Sequence, residues 1–160
     1  MLFRSAGGTG SNSFSAYQPE QLPDALESGT LNVPAIAGLR RGIGFLNSAG
    51  IEKLHLREID LLKKAYRGLR SIKNVILYTS EPTFCDAPVL SFNLREKDPF
   101  KAAEEYDKRG LCLRAGYHCA PDAHKKMGTD AAGTLRISLG ASNNTAEIDA
   151  FLEITQKISK

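Results

Sequence analysis

The chain has no tryptophan, two methionines and three cysteines in 160 residues, and each scarcity closes off a class of protein. Cys85, Cys112 and Cys119 are odd in number and far apart, which excludes the dense disulfide framework of a small secreted domain. Reduced thiols and a cytoplasmic location are therefore expected. No apolar run approaches the roughly 18 residues of a membrane span, and the opening MLFRSAGG is far too short to read as a signal peptide. Charge of one sign is lacking too. The 21 Lys and Arg face 18 Asp and Glu, for a net +3, and they form no basic stripe with interleaved aromatics, which excludes nucleic acid as a partner. What remains is ordinary globular composition, 42% hydrophobic and 24% charged, in a length that fits one domain with a real core.

The first 32 residues differ from the rest. AGGTGSNSFSAYQPEQLPDALESGTLN is rich in Gly, Ser, Pro and Asn without sustained periodicity, so it reads as an irregular loop. A helix is expected from near Pro34, with Ile36, Leu39, Ile43 and Leu46 recurring at three and four and Gly50 as a left-handed stop. A second helix is expected from about Glu52 to Leu69, its apolar side formed by Leu54, Leu61, Leu62, Ala65 and Leu69. From Lys73 the pattern shortens. NVILYTS (74–80), APVLSFNL (87–94), LCLRAG (111–116) and TLRISLG (134–140) read as strands. Asp98-Pro99 reads as a helix cap followed by a first-turn proline, and Gly110 as that helix's end. Asn144 and Glu147 resemble a capping box at the start of a last helix, with Ile148, Phe151, Leu152 and Ile158 on its buried face. The expected fold is α+β: a small antiparallel sheet with helices on one face over 73–160, preceded by connecting helices over 33–72 and the loop segment 1–32.

Two residues stand out chemically. Cys119 lies on a loop between Gly116 and Pro121, near His118 and Arg114, where a thiol has the exposure and positive surroundings that favour thiolate; a buried, inert cysteine is the open alternative. Cys112, between two leucines in an expected strand, suits burial better, and Cys85 carries no positive signal. Arg136 is flanked by Leu135 and Ile137, so it points away from them. Its guanidinium fork suits a carboxylate, and an outward arginine on an open sheet face is its alternative. GGTGS (7–11) and SGT (28–30) offer amides and hydroxyls to a phosphate, although glycine-rich loops are usually turns. His118, Cys119 and His124 are too few and too crowded for a zinc site. His55 reads as a surface residue.

Taken in order, GGTGS, LPDALESGTLNVPAIAGL, APVLSFNL, LRAGYHCAP and GTLRISLGASNNTAEID resemble the C-terminal part of pyridoxal-phosphate enzymes of the class V aminotransferase type, specifically the cysteine desulfurases. The resemblance implies the C-terminal small domain of that fold. It implies that Cys119 is the nucleophile that takes sulfur from L-cysteine, giving L-alanine and a persulfide for an acceptor protein. Arg136 would grip the substrate carboxylate, and Arg114 would be a second arginine near it. Thr30 would reach the cofactor phosphate of the partner subunit in a homodimer, with Gly7 and Gly8 beside it. Selenocysteine lyases and other class V enzymes remain alternatives, as does a small domain that only relays sulfur or binds partners.

The same resemblance places the Schiff-base lysine in a segment like SxHKxxGP, before GGTGS, and that segment is not in this chain. His124-Lys125 is not its equivalent, because it follows the cysteine. The expectation is therefore of a truncated remnant with no stably bound pyridoxal phosphate and no desulfurase activity in isolation. Residues 1–32 are expected to be mobile or to dock on another copy.

Overall fold

The computed structural model describes Gly10, Phe14, Ser15 and residues 17–160. The chain divides into two compact units, one running to Ser48 and the other spanning Ala49–Lys160. Among the described residues of the first unit, regular structure consists of a 3₁₀ turn at Asp24–Leu26 and helix α1, Val33–Ala49. Asn32 starts α1 by accepting the Ala35 amide on its side-chain oxygen at 3.1 Å, as an N-cap should. The apolar row expected from the spacing is present, but none of the α1 residues is buried. Ile36, Leu39 and Ile43 are 54%, 65% and 50% exposed.

The second unit contains α2 (Ile51–Ser71), β1 (Val75–Leu77), β2 (Val89–Leu94), α3 (Pro99–Asp107), β3 (Arg114–Gly116), α4 (Pro121–Met127), β4 (Thr134–Ser138) and α5 (Thr145–Ile158). Gly50, between α1 and α2, has the positive φ expected of it, +84°, but its ψ of 113° lies outside the left-handed helical region. The four strands form one sheet in the order β1-β2-β4-β3, and every neighbouring pair is antiparallel. Asp98 caps α3 by accepting the Phe100 and Lys101 amides. Asn144 and Glu147 complete a reciprocal capping box on α5.

The period of two in the strands decides which face is core. Leu90 pairs with Ile137 and Phe92 with Leu135. These four and Leu94 are buried together with Leu62, Ala65 and Leu69 of α2, Ala102 and Tyr106 of α3, and Ile148 and Phe151 of α5. The three longer helices thus cover one face of the sheet. The opposite face carries Ser91, Asn93 and Arg136.

All four strands are shorter than the sequence suggests, β1 and β3 most of all. β1 ends at Leu77 because the following segment turns through Ser80 and the buried Pro82. Leu111–Leu113 makes no ladder, since β3 is an edge strand paired with β4 only from Arg114 to Gly116. Cys112, expected inside a strand and buried, is accordingly exposed. Leu152 is only half-buried, and Thr155 takes the core position instead.

Asn93 closes the site end of the sheet. Its amide donates to the Gly133 carbonyl at 3.0 Å, and its side-chain oxygen accepts the Leu135 amide at 3.1 Å. Gly133 itself is at φ +76°, and a Cβ there would lie 2.5 Å from the Gly116 carbonyl carbon. Only glycine permits that approach of the β4 entry to the end of β3.

In the core, Phe92, Tyr106 and Phe151 pack ring against ring, with centroids 5.8 to 6.4 Å apart. Thr155 donates its hydroxyl to the Phe151 carbonyl at 2.7 Å, so the Tyr106 hydroxyl, 2.7 Å from Thr155 Oγ1, is the donor in that pair. Burial pushes the Tyr106 phenol well above its ordinary pKa. The direction of this chain orders two substitutions. Tyr106→Phe removes one net hydrogen bond, about 1 kcal/mol, whereas Thr155→Val strands a buried phenol at roughly 1–3 kcal/mol. Urea unfolding of both variants should find Thr155→Val the less stable; the reverse order would contradict the assigned donor.

Candidate active site

Strand β4 presents Arg136 to the uncovered face because its neighbours Leu135 and Ile137 are committed to the core. On one side Arg136 pairs with Ser91 of β2, on the other with Arg114 of β3. The two arginines therefore stand directly opposite each other on one face of the sheet. Like charges in that relation repel, and an anion held between them relieves the repulsion.

An open cavity of about 320 Å³ lies against this face, lined among others by Tyr78, Ser91, His118, His124, Thr134 and Arg136. Three buried polar atoms of its lining residues have no partner among the described residues: Arg136 Nε, Thr134 Oγ1 and His118 Nδ1. Folded proteins seldom leave such atoms unpaired. All three belong to residues that line one cavity, which makes it the candidate place for a polar ligand. Arg136 Nε and the Thr134 hydroxyl are donors, so the matching group is an anionic acceptor such as a carboxylate.

His118 Nε2 lies 3.1 Å from the Thr134 carbonyl. A carbonyl only accepts, so Nε2 carries the proton and the buried Nδ1 is left as a lone pair. Desolvation lowers the His118 pKa below its ordinary value, and Arg136 and Arg114 lower it further, while the Thr134 bond opposes them.

Cys119 occupies the turn from Tyr117 to Ala120, closed by the Ala120 amide on the Tyr117 carbonyl at 2.9 Å. Both central residues are left-handed, His118 at φ +51° and Cys119 at φ +59°. Two consecutive non-glycine residues in that region cost on the order of 1–3 kcal/mol each. The outcome is an exposed thiol beside the cavity that His118 lines.

Among the described residues, those that line the cavity include no lysine. Lys125 projects from α4 with its ammonium 3.6 Å from Asp122, outside the cavity. Among the described residues no group of His, Cys, Asp and Glu is placed to hold a metal. The structure thus sets Arg114 opposite Arg136 and brings His118 to the cavity that Arg136 lines, while Cys119, the next residue after His118, is exposed and is not among the lining residues. Thr30 is exposed and belongs to the first unit, and Gly7 and Gly8 lie outside the described residues. Sequence reasoning passed over Ser91, Thr134 and Tyr78. Alternation along LSFNL would have placed Ser91 opposite Leu90 and Phe92, whereas Tyr78 follows β1 and carried no periodic signal.

A small antiparallel sheet with helices on its core face and an arginine-lined cavity on the other defines the class of domain. The aminotransferase class-V family model matches residues 4–151, and the chain belongs to that family. It is similar to probable cysteine desulfurases from Synechocystis, 31% identical over 89% of this chain and 34% of the relative, and from Methanothermobacter thermautotrophicus, 30% identical over 89% and 36%. The solved apo cysteine desulfurase of Thermococcus onnurineus superposes with a TM-score of 0.82 at 29% identity, over 92% of this chain and 36% of that one. The chain is therefore a homologue of the cysteine desulfurases, and it spans about a third of the length of the curated relatives it matches. No helix of the described residues is long and apolar enough to cross a membrane.

Pyridoxal phosphate, the cofactor that this homology implies, needs an amine for covalent attachment. The unpartnered atoms of the cavity fit an amino acid's carboxylate, and with no lysine among its described lining residues the cavity does not fit the attachment of the cofactor.

The lowered pKa of His118 has a readable sign. Its proton is bound more weakly in the folded chain than in the unfolded one. The stability linked to it is therefore complete above about pH 6.5 and falls as the pH drops through the lower folded value. In an NMR titration the His118 ring should turn over below pH 6.5, and Arg136→Leu should move that midpoint upward. A midpoint above 6.5, or one indifferent to Arg136, would contradict the assigned surroundings.

Proposed function

We propose that this chain is the counterpart of the C-terminal segment of a cysteine desulfurase and holds two of its working parts: the clamp for the substrate carboxylate and the thiol that receives sulfur. The observation that carries the reading is the unpartnered Arg136 Nε beside the Cys119 turn. Arg136, backed by Arg114 across the strand pair, holds the amino acid by its carboxylate through charge-assisted bonds. Fixing that end orients the sulfur toward a thiolate on the neighbouring turn, which is a proximity effect. The net exchange balances: L-cysteine loses its sulfur and becomes L-alanine, and Cys119 gains that sulfur as a persulfide. The electron sink for breaking the carbon–sulfur bond would have to come from pyridoxal phosphate held by a lysine that is not among the described residues lining this cavity.

In this reading Thr30, Gly7 and Gly8 face the cofactor phosphate of a second subunit in a homodimer, and an acceptor protein takes the persulfide from Cys119. The domain boundaries follow the same assignment: 1–32 as the cofactor-facing loop, 33–72 as connecting helices and 73–160 as the small domain. A thiol on an exposed turn, next in the chain to the cavity-lining His118, is suited to both encounters.

One experiment separates the parts. Purified chain is given cysteine persulfide, or inorganic polysulfide as a donor without a carboxylate, and sulfur gained at each cysteine is mapped by mass spectrometry. Cys119 should load ahead of Cys85 and Cys112, and Cys119→Ser should abolish that signal. Arg136→Leu should slow loading from cysteine persulfide by about tenfold to a hundredfold, the worth of a hydrogen bond to a charged group, and leave polysulfide loading unchanged. Equal labelling of all three cysteines, or indifference to Arg136, would defeat the proposal. Pyridoxal phosphate and L-cysteine added to the chain alone should yield no alanine; cysteine-dependent alanine would place the cofactor's lysine in this chain.

A further inference from the structure

Just past the Cys119 turn, His124 is a polar side chain only 6% exposed, and neither the sequence nor the mechanism above gives it work. Both its ring nitrogens are engaged. Nε2 lies 3.0 Å from the Tyr117 carbonyl, which can only accept, so Nε2 carries the proton. Nδ1 is then the acceptor, and the Thr129 hydroxyl, 2.7 Å away, is its donor. The Thr129 amide in turn bonds the His124 carbonyl at 2.9 Å, fixing the hydroxyl beside the ring.

The carbonyl that His124 holds is the one that closes the Cys119 turn. Tyr117 O receives both the Ala120 amide at 2.9 Å and His124 Nε2 at 3.0 Å. The Tyr117 and His124 rings also meet edge to face, with centroids 5.4 Å apart. His118 and Cys119 together occupy the left-handed region that side chains avoid, and one backbone bond is little to hold them there. We infer that His124 is a positioning residue: through the Tyr117 carbonyl it holds the left-handed turn that presents the Cys119 thiol, and Thr129 sets the ring tautomer that makes this possible.

The functional meaning of the inference rests on Cys119 as the sulfur acceptor; its geometry does not. Amide hydrogen exchange on the intact chain tests it, with His124→Ala, Thr129→Val and His124→Gln compared with the unaltered protein. His124→Ala should lower protection of the Ala120 amide by about tenfold, the worth of one buried hydrogen bond. The strong intraresidue Hα–HN cross-peaks that mark positive φ at His118 and Cys119 should fade. Amides of Leu135 and Ile148 in the core should keep their protection. Thr129→Val, which leaves the ring in place, should weaken the turn in the same direction. His124→Gln, whose amide can donate to Tyr117 and accept from Thr129, should restore it. Unchanged Ala120 protection in both disruptive variants would overturn the inference, as would a loss spread evenly over the core, which would make His124 merely structural. Sulfur loading measured on the same samples keeps the two ideas apart: an unaltered chain that takes no sulfur at Cys119 refutes the proposed function, whereas the exchange pattern alone decides the role of His124.

Discussion

The antiparallel pairing of β2 with β4 governs everything at the site. Leu90 and Phe92 face the same helices as Leu135 and Ile137, so one side of this pair is wholly apolar. A slip of β4 by one residue would exchange its faces, burying Arg136 under α2, α3 and α5 and exposing Leu135 and Ile137. At about 1.5–3 kcal/mol for each such side chain, before the desolvation of a guanidinium, that slip is closed to the fold. The core thus fixes which residues meet the cavity. Asn93 then stitches the end of the pair through its side chain, where Gly133 brings the β4 entry against Gly116 and the Cys119 turn begins.

Much of this was legible because it depends on local periodicity and capping. The Asp98-Pro99 start of α3 and the Asn144–Glu147 box of α5 are short-range features whose hydrogen bonds form within a few residues. The alternation in TLRIS gave Arg136 its direction without any tertiary information. Other features depend on partners that a sequence does not reveal. Leu111–Leu113 looks like strand but makes no ladder with β4, and Cys112 emerges exposed between the half-buried Leu111 and Leu113. Helix α1 has the spacing of a core helix, and its apolar row lies in the open. Periodicity states which residues share a side of a helix, not what stands opposite that side.

The left-handed turn was the least legible part. Such turns are normally announced by Asn or Gly at their centre, and here the centre is His118-Cys119. Local propensity opposes this conformation, so tertiary contacts have to impose it. They are visible only in the fold: the His118 ring on the Thr134 carbonyl and a second donor on the carbonyl of Tyr117. A disagreement between local preference and observed backbone is where function is most expected.

The cavity shows the same tension in its electrostatics. Arg114 and Arg136 repel across one strand pair, Arg136 Nε and the Thr134 hydroxyl lack partners among the described residues, and desolvation, with the field of the two arginines added, depresses the basicity of His118. Each is a local loss of stability that a folding optimum would remove. One ligand answers them together, because a carboxylate neutralises the paired charge and accepts from the idle donors at once. Under the proposed function, that would place the binding energy at the end of the substrate remote from the sulfur. Energy realised there would serve to hold the reacting atoms in line with the thiol, and the strained turn would meet the same demand from the other side by removing freedom from Cys119.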